Sequence, residues 1–185
     1  MKREFFCCFA NILVVGLALS TAAVSQNRGH IELSGILNDY TPVNIGSWEI
    51  RGPWSLKVKG DSATADFSAA LSMMHSDIAV LGGATRTEHT HHVVLDNGVV
   101  TSLANGFRIT GPATVTASGA FPPPFGPNST LQIDVTGGNQ VEFANIQVTF
   151  INNADGTASD GSKHFGMQPI NGVVKNLKPS HGDDR

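Results

Sequence analysis

Hydrophobic and polar residues alternate along most of the chain, and the alternation is clearest over residues 62–74. Every second position of that segment is apolar, while Asp66, Ser68 and Ser72 lie between the apolar positions. A period of two is typical of a β-strand that buries one face, although the alanine content leaves a helix as an alternative. The predicted inward face consists of Ala63, Ala65, Phe67, Ala69, Leu71 and Met73.

Similar short segments recur along the chain, separated by turn residues at intervals of about 8–12 residues. Because a helical period is nearly absent, the pattern predicts a single all-β domain of about ten short strands. An antiparallel β-barrel and a two-sheet β-sandwich both fit this pattern. The predicted strands cover residues 31–37, 46–50, 54–59, 63–74, 88–95, 99–103, 106–110, 113–118, 131–135, 140–143 and 146–151.

Glycine, proline and asparagine mark the predicted turns. Residues 96–98 (Asp-Asn-Gly) suit a three-residue hairpin loop, while residues 105–106 (Asn-Gly) and 137–138 (Gly-Gly) suit tight hairpin turns. Residues 121–127 are rich in proline, which removes ladder donors, so they predict a surface loop. The polar residues 152–163 predict another loop.

Residues 1–25 have the organisation of a secretory signal peptide. Lys2 and Arg3 precede an apolar run over residues 5–19, and small residues follow up to Ser25. We expect cleavage after Ser25 and export to the periplasm or the extracellular space, with an uncleaved membrane anchor as the alternative. The apolar run is shorter than the ~20 residues that cross a bilayer comfortably, so no membrane span is expected in the mature chain.

The predicted organisation is therefore a leader over 1–25, an all-β domain over 26–177 and a polar tail over 178–185. The chain carries 12 Lys and Arg against 15 Asp and Glu, a net charge of −3. Scattered basic residues and a negative charge argue against nucleic-acid binding, which depends on clustered Lys and Arg. Cys7 and Cys8 both lie in the leader, so the mature domain has no thiol nucleophile and no disulfide.

Histidines supply the one concentration of potential metal ligands. His89, His91 and His92 lie within four residues at the start of the predicted strand 88–95. On a strand, His89 and His91 share a face, with Cα atoms about 6.6 Å apart, so both can reach one metal ion. The apolar residues that follow continue this face, which predicts that it points inward while Thr90 and His92 point outward.

A third histidine, His75, continues the inward series of the preceding strand, and Asp77 follows it. Sequential strands usually pair antiparallel, which would bring His75 towards His89 and His91. The sequence therefore predicts a site for zinc, copper, iron or nickel, with water or a carboxylate as the fourth ligand. The predicted ligands are His75, His89 and His91, with Glu88, Asp77 and His164 as reserve ligands.

The alternative is a protein without a metal. Histidines near strand ends are often exposed or hydrogen-bonded in a core, and Trp48, Trp54 and Tyr40 suggest a surface for stacking on sugars, although core packing is their simpler role. The protein would then be a non-catalytic secreted binding or surface module for a glycan, a protein or a small molecule. The sequence has no Gly-x-Ser-x-Gly elbow, phosphate loop or dinucleotide fingerprint, and it leaves open whether the protein is an enzyme.

One segment resembles the first metal-binding motif of the cupins, which has Gly, five residues, His-x-His, three or four residues and then Glu. Gly83, His89 and His91 match this spacing, Asp96 stands where the cupins have Glu, and Leu103 stands where they have a closing glycine. The resemblance covers about 14 residues. It implies a β-barrel that holds a metal ion on its histidines.

Overall fold

Within the described residues, eight antiparallel strands close into a barrel in which each strand pairs with its neighbours in sequence and β8 pairs with β1. The computed structural model describes residues 31–42, 47–60, 63–75, 88–119, 127–137 and 145–179. The strands are β1 (Ile31–Pro42), β2 (Ser47–Val58), β3 (Thr64–His75), β4 (His89–Leu103), β5 (Gly106–Gly119), β6 (Asn128–Thr136), β7 (Asn145–Ile151) and β8 (Ile170–Pro179). A six-residue helix, α1 (Asp160–Phe165), precedes β8.

The predicted alternation on β3 is confirmed, and it explains how the barrel is filled. From Ala65 to Met73 every second side chain is buried, and these side chains point into the barrel. An eight-stranded barrel is just wide enough for such side chains to fill, and each large one contributes about 1.5–3 kcal/mol by leaving water. The largest fully buried side chains are Phe67, Phe107, Phe150, Phe165, Leu33, Leu37, Ile50, Leu71, Met73, Leu95, Ile109 and Leu131.

Glycine and proline positions that predicted turns instead lie inside long strands. β2 joins the two strands predicted at 46–50 and 54–59, and Gly52 and Pro53 lie within it. A Cβ atom on Gly52 would lie 1.7 Å from the carbonyl oxygen of Ala70, so the close approach of β2 to β3 requires glycine. β5 likewise joins two predicted strands, so the residues that the structure describes form eight strands that are longer than the ten or so short ones that we expected.

The hairpin loop predicted at residues 96–98 is wrong. β4 runs straight through these residues, and its pairing with β5 shifts between Val94 and Val99, which marks a β-bulge. Asn97 adopts a φ of 56° there and donates its backbone N–H to Asp66 at 2.9 Å. Lys59, just beyond the end of β2, forms an ion pair with the same carboxylate at 2.8 Å, so Asp66 on β3 and the residue after β2 both help to hold the bulge.

Two other predicted turns have different outcomes. β4 and β5 form the expected tight hairpin, with Leu103 paired with Gly106, but its turn residues are 104–105 and not the predicted 105–106. Gly138, the strand predicted at 140–143 and most of the proline-rich loop lie outside the described residues.

β8 had no predicted strand, although it closes the barrel. It pairs antiparallel with both β1 and β7, and Pro179 lies opposite Ile31. Asp39 on β1 accepts hydrogen bonds from the backbone and side-chain N–H groups of Asn171, at 2.8 and 2.6 Å. These contacts attach the start of β8 to β1.

α1 lies at one end of the barrel; it begins inside the loop predicted at residues 152–163 and ends two residues beyond it. Its Gly161 packs against Ser129 near the start of β6 and against Phe150 near the end of β7. In an antiparallel barrel those two ends lie together, and β4 begins there too. No helix in the described part of the chain is long and apolar enough to cross a membrane.

Candidate metal centre

The first residues of β4 contribute two histidines to this end of the barrel. His91 is completely buried, His89 is half-buried at the strand's first position, and His92 is exposed. The two inward rings have centroids 4.5 Å apart and meet edge to face. The prediction that His89 and His91 share an inward face, with His92 outward, is therefore confirmed.

α1 supplies a third imidazole, that of His164. Its Nε2 atom lies 3.0 Å from the Nε2 atom of His91, within hydrogen-bonding distance. Its ring centroid lies 4.7 Å from that of His91 and 5.7 Å from that of His89. One potential ligand atom from each of the three histidines lies within 4.8 Å of the others, so the three form a compact cluster.

Local sequence and packing explain why His164 points at the barrel wall. Ser159 caps α1, accepting a hydrogen bond from the backbone N–H of Ser162 at 3.1 Å. The next anchor is Phe165, which is fully buried and stacks on Phe150 at 4.2 Å with an interplanar angle of 10°. A six-residue helix is unstable by itself, so the capping serine and the buried Phe165 determine its orientation and thereby that of His164.

Apolar and aromatic side chains surround the cluster. The ring of Phe165 packs edge to face against that of His91, with centroids 5.0 Å apart. The ring of Trp48 packs edge to face against that of His89, with centroids 5.8 Å apart. Met73 is buried and lies opposite His89 in the β3–β4 register. Aromatic and apolar side chains therefore form part of the surroundings of the cluster.

The three aromatic residues considered for sugar stacking have separate environments. Trp54 is buried in the core, where it stacks against Phe67 at 6.4 Å, as expected for a packing role. Tyr40 is exposed, and half-buried Trp48 belongs to the surroundings of the histidine cluster. They do not form one shared platform.

Burial lowers the pKa values of His91 and His164. Burial lowers the pKa of His91 to about 3, with further lowering from the charges of His164 and His89, against an opposing hydrogen bond to the backbone of Thr116. Burial also lowers the pKa of His164 to about 4, assisted by the charge of His89. At neutral pH both imidazoles are uncharged, which leaves a ring nitrogen of each able to bind a metal ion.

The observed distances are close to those of a metal site. Two nitrogens bound to one tetrahedral ion at 2.0–2.1 Å lie about 3.3 Å apart. The His91–His164 pair, at 3.0 Å, needs to open slightly, and the more distant pairs, within 4.8 Å, need to close by up to about 1.5 Å. Rotation of side chains covers such changes, so the cluster fits one ion.

Some of the predicted ligands lie in the cluster, and others do not or lie outside the described residues. His89 and His91 lie together, and His164, a reserve ligand, completes the cluster. The backbone of His75 ends β3 opposite Trp48, but its side chain and all of Asp77 lie outside the described residues. Glu88 immediately precedes β4, and its side chain is exposed. Metal binding by His75 remains a prediction.

His164 lies 73 positions beyond His91, and no local pattern in the sequence connects the two residues. The local indication was a helix start, since Ser159 followed by Asp160 is typical of a capped N-terminus. That pattern predicts that a helix begins inside the polar segment. It does not indicate which strand the helix contacts.

The resemblance to the cupins does not extend to the strand order. Cupins are jelly rolls built from two Greek keys, whereas these strands follow one another around the barrel in chain order. Asp96, in the position of the cupin glutamate, is exposed beside the bulge. Comparison with protein-family models, with curated proteins and with solved structures finds no match to this chain.

Proposed function

We propose that this protein binds one divalent transition-metal ion through His89, His91 and His164. The observation that carries the proposal is the convergence of three imidazoles from β4 and α1 within 4.8 Å at one end of the barrel. His91, the central member of the three, is fully buried.

The chemistry of the ligands supports an ion of the zinc, copper, iron or nickel group. Imidazole nitrogens suit these metals, whereas calcium and magnesium prefer oxygen ligands. His91 and His164 are neutral at physiological pH, so binding requires no unfavourable deprotonation. Three protein ligands also leave a coordination position open, as in catalytic rather than structural zinc sites.

That open position suggests what the site does. A bound ion would supply Lewis acidity or a water molecule of lowered pKa. The protein's own contribution is a rigid barrel wall, a helix that positions His164, and the apolar surroundings of Trp48, Met73 and Phe165.

Metal binding by the untagged mature chain tests the proposal. We expect one zinc ion per chain by calorimetry and elemental analysis. His91→Ala and His164→Ala should each weaken binding at least about 100-fold, since even the loss of a residue behind a ligand costs about 10–100-fold. His92→Ala is the matched control, because His92 lies beside His91 on β4 but is exposed. Equal binding by all four proteins would contradict the proposal.

We also propose that the protein is exported with cleavage after Ser25, as the organisation of residues 1–25 suggests. Expression of the full chain, followed by mass spectrometry of the exported fraction, should give a mature chain that begins at Gln26. Recovery of only the uncleaved chain in the membrane fraction would favour an anchor instead.

A further inference from the structure

We infer that the histidine cluster is selective for copper(I), and that the thioether sulfur of Met73 binds the ion at the position that the three histidines leave open. The inference rests on the proposed function, since it adds a fourth ligand to His89, His91 and His164. It follows from the position of Met73 in the β3–β4 register and from the chemistry of its sulfur atom.

Met73 lies directly opposite His89 on the neighbouring strand β3. Directly opposite residues of an antiparallel pair point to the same face of the sheet, and their Cβ atoms lie about 4.5–5.5 Å apart. Met73 is only 1% exposed, so this shared face is the inside of the barrel. The side chain of Met73 is therefore a direct neighbour of the His89 imidazole.

Met73 is also the one cross-strand neighbour, among the described pairs, that can donate an electron pair to a metal ion. The residues that pair with the two cluster histidines of β4 are Met73, Leu71, Gly119 and Ala117. Leu71 and Ala117 have aliphatic side chains, and Gly119 has none. The register thus places a single additional ligand atom beside the strand histidines.

The methionine side chain can bring its sulfur to an ion that the histidines hold. It is unbranched and has three rotatable bonds, so the sulfur can take several positions without movement of the strand. Met74, the next residue of β3, differs in orientation, since its sulfur lies 3.4 Å from the guanidinium of Arg51. Successive side chains of a strand point to opposite faces, so of these two methionines only Met73 faces the histidines.

The sulfur atom determines which ion the site prefers. A thioether is a soft, uncharged ligand that selects copper(I), whereas zinc in proteins is bound by thiolate, imidazole and carboxylate groups. Imidazole binds both copper and zinc, so the three histidines alone do not distinguish between them. The addition of Met73 to the ligands therefore favours copper(I).

Metal titrations of the untagged mature chain test this selectivity. Copper(I) is added anaerobically with ascorbate and in competition with the chelator bicinchoninate, and zinc is added to separate samples. Met73→Leu should weaken copper(I) binding at least about tenfold, since even the loss of a residue behind a ligand costs about 10–100-fold. Zinc affinity should stay nearly unchanged, because leucine conserves the volume of methionine and the histidines remain. Met74→Leu is the matched control and should change neither affinity.

X-ray absorption at the copper edge identifies the ligand directly and needs no variant that folds. The mature chain has no cysteine, so any protein sulfur bound to copper belongs to a methionine. We expect one sulfur neighbour of copper in the unmodified protein and in Met74→Leu, and none in Met73→Leu.

The outcomes separate this inference from the proposed function. If copper(I) binds at one ion per chain with only nitrogen and oxygen neighbours, Glu88 or another group takes the fourth position, and the inference is overturned while the metal site stands. Equal copper(I) affinity of the unmodified protein and Met73→Leu leads to the same conclusion. If Met73→Leu weakens copper(I) and zinc binding alike, Met73 only packs the site, which also overturns the inference. Failure to bind either ion overturns both.

Discussion

The Nε2 atoms of His91 and His164 lie 3.0 Å apart, although 73 positions separate the two residues in the chain. In this pair one Nε2–H donates and the other Nε2 accepts, since both rings are neutral at physiological pH. The contact joins β4 of the barrel wall to the helix at the barrel end. A metal ion between the two nitrogens would replace one hydrogen bond by two coordinate bonds.

Acid should destabilise the metal-free protein. Below pH 6.5 the histidines of the unfolded chain take up protons, whereas His91 and His164 in the folded state do so only near pH 3 and 4. Their contribution to stability is therefore complete above pH 6.5 and is lost as the pH falls towards these values. Between pH 6 and 4, each of these two histidines lowers the free energy of unfolding by up to about 1.4 kcal/mol for every unit by which the pH falls.

Urea unfolding at pH 7.5 and at pH 5 measures this dependence. The double variant H91Q/H164Q should be less stable at pH 7.5 but should lose clearly less stability between the two pH values. An identical pH dependence in the variant and the unmodified protein would show that other groups dominate acid unfolding.

Truncation of Phe165 should destabilise both the fold and the metal site. Phe165 is fully buried and stacks on Phe150, so Phe165→Ala leaves a cavity that costs about 3–5 kcal/mol in the free energy of unfolding. Metal affinity should also fall, because His164 loses the packing of its neighbour. The control is Met167→Ala, since Met167 is 54% exposed and its truncation should change stability by less than about 0.5 kcal/mol.

Metal binding should protect α1 from hydrogen exchange. His164 would attach the helix to His89 and His91 on β4, so zinc should slow amide exchange over residues 159–166. Amides in the middle of β6 belong to the stable barrel wall and should change little. Mass spectrometry of peptides measures both regions. Equal protection in a His164→Ala variant would mean that the metal does not act through this helix.

Gly52 should tolerate no side chain. A Cβ atom there would lie 1.7 Å from the carbonyl oxygen of Ala70, so Gly52→Ala must push β2 away from β3 at a cost of at least about 1–3 kcal/mol. Thr101→Ala on the exposed face of β4 should stay within about 0.5 kcal/mol of the unmodified protein. Denaturant unfolding gives both values, and equal stability of the two variants would contradict the register between β2 and β3.

Several features of the fold could be predicted because they depend on local pattern. The alternation from Ala65 to Met73 identified the inner face of β3, and the same rule correctly directed His89 and His91 inward. The pairing of β3 with β4 followed from their adjacency in the chain. Local turn chemistry was less reliable, because Asn97 in a left-handed conformation occurs both in hairpin loops and in the bulge found here.

The sequence alone thus determined the all-β class, the inward face of each clearly alternating strand and two members of the histidine cluster. Only the tertiary structure decided that β8 closes the barrel against β1 and that α1 brings His164 to His91. The physical reason is the range of the interactions. Side-chain alternation is a property of each strand by itself, whereas barrel closure and the packing of Phe165 on Phe150 depend on contacts between distant segments.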